Sequence, residues 1–160
     1  MYGEDVDLSY RAHLNGFKIQ FIPSAIVKHD YDLIVPAEKI YHLEKGRYLI
    51  LKKYMTAKDL ILLFPSLIMA EALAFGYSLK FGSNGLKYKF KAIKDGLPAK
   101  VTKMNCNTFN RDNFFRSLDT KIPLDQLSYS KLDEAFKIIA NEFFELNWKL
   151  FLILNFYFND

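Results

Sequence analysis

Apolar positions recur with a helical period over most of this 160-residue chain, so the pattern predicts helices joined by polar connections. From about Asp5 to Asn15 the spacing predicts a short helix. Asp5 is a candidate cap, and Gly16 stands where a left-handed C-terminal residue belongs. Leu8, Ala12 and Tyr10 are expected to face inward. Phe17 to Phe21 and Ala25 to His29 read as two short strands joined by a Pro23-Ser24 turn. Ala37 to Met55 is helical in pattern, with Ile40, Leu43, Tyr48, Leu51 and Met55 near one face. Leu60 to Leu79 is the most apolar run, interrupted by Pro65, Glu71 and Gly76. Leu86 to Lys94 predicts a helix closing at Asp95-Gly96, with Pro98 just beyond. Residues 102–127 read as a loop-rich connection. Ser130-Lys131-Leu132-Asp133 resembles a capping box opening a helix through Ala140, Phe144 and Trp148. Its end, Leu150 to Phe158, is apolar all round except for Asn155, which suggests burial in lipid, in a partner or in another domain.

The expected fold class is therefore an α/β fragment at the N-terminus, made of an acidic helix start and a short β-hairpin. A mainly α-helical, amphipathic region follows. Three segments are expected, 1–57, 58–103 and 104–160.

Composition sharpens this picture. A hydrophobic content of 51% with 16% aromatic residues is high for a chain of this length, so excess apolar surface needs a partner. The single Cys106 excludes an internal disulfide framework. No cleavable signal peptide is visible at the acidic, polar start. Charge is uneven: between residues 80 and 103, seven lysines stand against Asp95 alone, directly after the apolar run. A span of about 20 apolar residues suffices to cross a bilayer, but Glu71 near its middle costs roughly 2.5 to 3.5 kcal/mol and Pro65 adds a kink. A helix or broken helical hairpin in the membrane interface is at least as good a reading as a span, with the lysines facing an anionic membrane surface. The alternative is a buried helix in a helical domain with a solvated lysine face. Nucleic acid is a weaker rival and is not expected as a partner, because lysine without arginine reads bases poorly and no binding module is recognisable.

The chemistry concentrates near the start, in Tyr2-Gly3-Glu4-Asp5-Val6-Asp7-Leu8-Ser9-Tyr10-Arg11. Three acids in four positions repel one another unless a cation, a base or a substrate proton compensates. Gly3, Glu4, Asp5, Asp7, Leu8, Arg11, Gly16, Pro23 and His29, in this order and spacing, resemble the second half of the catalytic domain of family-2 glycosyltransferases, which have the GT-A fold. The resemblance covers roughly the first 30 residues. It implies an acceptor-side part of such a domain, with the nucleotide-binding half and its metal-holding Asp-x-Asp motif absent from this chain. Asp5-Val6-Asp7 has the letters of that motif but sits at the acceptor-side helix start.

The resemblance implies that Asp5 is the general base taking a proton from an acceptor hydroxyl as it attacks the anomeric carbon of a sugar nucleotide. It also implies that Glu4 positions the acceptor and that His29 helps hold a divalent cation, Mn or Mg, or the leaving diphosphate. Imidazole suits Mn better than Mg. Arg47, in Lys45-Gly46-Arg47, is a candidate diphosphate contact. Asp7 and Arg11, four apart, are expected to form a modest ion pair, and His13 and His42 to be surface or packing residues. The implied function is inverting transfer of a sugar to a glycan or lipid-linked acceptor at the cytoplasmic face of a membrane, peripheral or monotopic, with a separate nucleotide-binding half. The isolated chain is expected to be inactive. The alternative is a non-catalytic remnant acting as a membrane-associated or protein-binding module, in which Asp5 merely caps its helix.

Overall fold

A computed structural model describes residues 3–28, 36–104, 108–123 and 131–157. Among them the regular elements are helical: α1 (Glu4–Leu14), α2 (Glu38–Tyr54), α3 (Ala57–Leu62), α4 (Phe64–Leu79), α5 (Gly82–Gly96), α6 (Thr108–Ser117) and α7 (Lys131–Leu152), with a π-helical turn at Ile153–Tyr157. The described chain is thus all-helical, which corrects the expected α/β start. Residues 17–28 form no strand among the described residues. Their alternation is real, but a two-stranded hairpin by itself is marginal, and no sheet is present among the described residues to pair it or cover it. Phe21 and Ile26 are accordingly about fully displayed, at 85% and 86% exposure. His29, Cys106 and Ser130 lie outside the described residues.

Two compact units interleave along the chain. The first comprises Met1–Tyr54 and Phe75–Arg111, the second Met55–Ala74 and Asp112–Asp160. Helix α4 runs from the second into the first.

The first unit is organised by α2 and α5. Small residues on α5 permit close approach to its neighbours: a Cβ added at Gly96 would lie 2.8 Å from Tyr48 Cδ2, and one at Gly85 2.0 Å from the Ser78 carbonyl oxygen. Gly85, Lys89, Ala92 and Gly96 form the buried side of α5. Lys89 is 0% exposed. Its ammonium donates to Glu44 and, at 3.2 Å, to Tyr48 Oη, and lies 5.0 Å from the centre of the Phe75 ring. A carboxylate, a hydroxyl and an aromatic face thus compensate the buried ammonium, as its burial demands. The C-terminal end of α2 is tied to the chain following α5: Lys52 Nζ donates to the carbonyls of Leu97 and Ala99, and Met104 N–H to the Lys53 carbonyl.

In the second unit, Phe115 packs edge-on against Phe114 and Phe151, and Trp148 stacks on Phe151 at 4.9 Å. The apolar run does break, at Leu63, between α3 and α4. Asn147 of α7 bridges the break, accepting from Ser66 Oγ at 2.5 Å and donating to the Leu62 carbonyl at 3.0 Å. It thereby serves a last-turn acceptor of α3 and the first turn of α4, groups that a helix cannot satisfy internally. Asp59 is fully buried. Its Oδ2 accepts from Thr56 N and Oγ1 at 2.6 and 2.7 Å, closing a capping box, and its Oδ1 accepts from Asn155 at 2.7 Å. The Thr56-x-x-Asp59 spacing is the sequence signal for this helix start, and the pattern reading missed it. Helix α6 occupies part of the stretch read as loop, 102–127.

Candidate functional site: the acidic start of α1

Gly3, with φ +99°, is the N-cap of α1, and no side chain caps the helix. Only glycine takes this conformation without strain. Asp5 therefore does not cap, which corrects the local reading. It lies inside the first turn, where its Oδ1 accepts from Val6 N–H at 2.9 Å. Glu4, Asp5 and Asp7 all fall in that turn, at the positive end of the helix dipole. Glu4 and Asp5 are exposed. The other end is as expected: Gly16, φ +82°, and Phe17 donate to the carbonyls of His13 and Ala12, the double bond pattern of a Schellman stop. Leu8, expected inside, is exposed, and Leu14 is the buried residue of this helix.

Asp7 anchors α1. Its carboxylate pairs with Arg11 at 3.2 Å, as the spacing implied. It also accepts from Lys53 Nζ and Tyr54 Oη, both at 2.6 Å. Burial raises the Asp7 pKa, but the hydrogen bonds from Lys53 and Tyr54 and the charges of Lys53 and Arg11 outweigh it and leave the carboxyl below its ordinary value. Burial, then donation to Asp7, pushes the Tyr54 phenol up. Tyr10 packs edge-on against Tyr54 with ring centres 5.3 Å apart, and burial raises its phenol too. The sequence reading missed Lys53 and Tyr54. The signal available was a Lys-Lys-Tyr end to α2, which does not say which acid it meets.

Beside the acidic turn lies a cavity of about 280 Å³ lined by Gly3, Val6 and Tyr10 from the α1 region and by Leu43, Gly46, Arg47, Ile50 and Leu51 from α2. The structure thus brings Arg47 to the wall that Gly3 and Val6 share, next in sequence to Glu4 and Asp5. Arg47 also pairs with Glu44 at 2.7 Å and lies 5.0 Å from the centre of the Tyr48 ring. Its guanidinium is therefore held in place rather than left swinging. His42 packs edge-on against Tyr41 at 5.0 Å, a packing role. Among the described residues no group of three His, Cys, Asp or Glu side chains converges to hold a metal ion.

Chemically, the arrangement offers two exposed carboxylates on a fixed helix turn, a mostly apolar recess and one guanidinium on its wall. Comparison of the chain with protein-family models, curated proteins and solved structures returned no match.

Proposed function

We propose that this chain is the acceptor side of an inverting sugar transferase, resembling the family-2 enzymes, that works together with a nucleotide-binding portion. Asp5 is the general base, Glu4 orients the acceptor hydroxyl, and Arg47 faces the diphosphate of the sugar nucleotide. A divalent cation, Mn or Mg, belongs to the complete donor site, with His29 as the residue this chain contributes. The observation that carries the reading is the acidic turn itself: the Gly-Glu-Asp-x-Asp-Leu run opens α1, with Glu4 and Asp5 exposed and the recess that Gly3 and Val6 share with Arg47 alongside. The tie from Asp7 to Lys53 and Tyr54 supports it, because a base must be held within hydrogen-bond reach of its proton.

No helix among the described residues is long and apolar enough to cross a membrane. Within this reading the chain works at the cytoplasmic face, attached peripherally through amphipathic surface, and a glycan or lipid-linked acceptor reaches Asp5 there.

The test is sugar transfer. The chain alone should give no turnover with any sugar nucleotide, because the groups that orient the donor lie elsewhere. With a nucleotide-binding portion supplied, Asp5→Asn should abolish turnover while donor binding persists. Full activity of that variant removes Asp5 as base. The exposed apolar side chains of residues 17–28 favour a second reading, a non-catalytic module that binds a partner through them. It prevails if reconstitution captures a partner but never yields transfer.

A further inference from the structure

Helix α5 buries small residues and one lysine where an amphipathic helix usually buries large apolar ones. Its inward side consists of Gly85, Lys89, Ala92 and Gly96. Close approach explains this choice, since neither Gly85 nor Gly96 has room for a Cβ. The consequence falls on the other side, where Phe90 is 58% exposed and Leu97, just past the last turn, 54%. Lys87, Lys91 and Lys94 are exposed as well. The spacing of these five positions, three and four apart, puts them in one stripe along the helix.

The charges facing this stripe decide its character. Asp95, the one acid in α5, accepts from Tyr41 Oη at 2.9 Å. Lys91 Nζ lies 4.8 Å from the centre of the same Tyr41 ring, and Lys45 donates to Tyr41 Oη at 3.0 Å. Glu44 is engaged with Lys89 and Arg47. The stripe is therefore cationic around two large apolar side chains. Phe90 meets Phe75 edge-on with ring centres 5.7 Å apart, yet more than half of it remains exposed beside Leu97, apolar surface that a merely solvated lysine face does not need. A nucleic-acid surface would favour arginine, of which α5 has none, and gains nothing from Leu97.

The geometry points to the outward stripe of α5 as a docking surface for an anionic lipid interface. Phe90 and Leu97 enter the headgroup region, and Lys87, Lys91 and Lys94 meet the lipid phosphates. Two signals of this kind, apolar insertion and clustered lysine, are what reversible membrane attachment requires. The inference rests on the membrane-face part of the reading above and is independent of sugar transfer.

Sedimentation of the intact protein with vesicles tests it, using phosphatidylcholine alone and mixed with phosphatidylglycerol at low and high salt. Binding should need phosphatidylglycerol and weaken with salt. Each lysine replaced should cost roughly fivefold, so K87Q/K91Q/K94Q should lose on the order of a hundredfold. F90S/L97S should lose binding at both salt levels. These side chains are exposed, so circular dichroism should show both variants folded; if the second fails to fold, the lysine triple decides alone. Wild-type affinity in the folded variants overturns the α5 surface and leaves attachment to some other surface. Failure of the wild-type chain to bind at low salt overturns the membrane-face reading with it. Lysine-dependent binding of a single-stranded oligonucleotide without vesicle binding overturns it in favour of nucleic acid. None of these outcomes bears on Asp5.

Discussion

Helix α5 buries Gly85, Lys89, Ala92 and Gly96 and leaves Phe90 outside, while α7 buries Lys137, Ala140, Asn147 and Phe151 and leaves Leu132, Phe136, Ile139 and Leu146 outside. Each helix hides polar groups and displays apolar ones, yet by different means and with opposite charge. In α5 the absence of side chains lets backbones approach, and one ion pair fills the remaining space. In α7 side chains do the joining: Asn147 spans the α3–α4 break, and Asn141 donates to and accepts from the backbone of Ile122 at 3.0 and 2.8 Å. Around the exposed apolar residues α5 carries lysines, whereas α7 carries Glu134, Glu142 and Glu145 as well as Lys131 and Lys149. Exposed apolar side chains alone therefore do not define a partner. The charge beside them does, and it separates a lysine-rich surface fit for anionic lipid from one of mixed charge that gives such lipid little attraction.

Lys89→Ala should break this comparison most severely. It strips Glu44 of its buried partner and leaves it only Arg47, so the first unit should lose about 3 kcal/mol, the low end for a broken buried pair. Chemical denaturation checks it, and the double change Glu44→Leu with Lys89→Met should recover much of the loss. The matching change in the second unit is Asn147→Ala, which leaves the Leu62 carbonyl and the Ser66 groups without this side chain. A loss of about 1 to 3 kcal/mol follows from the cost of unmade hydrogen bonds. Equal losses in the two variants would erase the distinction between an ion-pair joint and an amide joint.

Acid sharpens it differently. The Asp7 carboxyl lies below its ordinary value in the folded chain. Its contribution is thus fully present above the unfolded value, near 3.8, and is lost as pH falls through the lower, folded one. The first unit should loosen around α1 below about pH 4, seen as faster amide exchange in α1. Asp7→Asn should remove that acid limb, and an unchanged profile would discount the tie to Lys53 and Tyr54. The smallest effect is expected at the exposed Lys149–Glu145 pair of α7, 2.7 Å apart. Lys149→Ala should leave the unfolding midpoint unchanged within error, because solvent screens such pairs.

Helix ends were legible in the sequence where a residue with special backbone geometry marks them. Gly16, left-handed at φ +82°, closes α1; α5 ends at Gly96 shortly before Pro98, as the sequence indicated, though without a left-handed residue there. The Asp7–Arg11 pair was legible because its spacing is local. Inward faces were not: periodicity assumes that the larger apolar residue is the buried one, and α5 reverses this because Tyr48 comes too close for anything larger than glycine at position 96. The hairpin over 17–28 was misread for a related reason, since alternation describes a strand's fitness for a sheet and not the presence of that sheet. Of the candidate site, Glu4 and Asp5 could be named from their motif. The link of their helix to α2, made by Asp7, depends on contacts across more than 40 positions, which no local pattern encodes.

Interleaving of the two units also sets a schedule for synthesis. Residues of the first unit are all available once Arg111 has emerged, whereas Met55–Ala74 must wait for the stretch Asp112–Asp160. At typical elongation rates that wait lasts on the order of several seconds, long compared with helix formation. Throughout it Asp59 lacks Asn155, and the joint at Leu63 lacks Asn147. The nascent chain therefore carries one finished unit beside an apolar, unclamped helical pair, and this interval is where a chaperone that binds apolar segments has its opening.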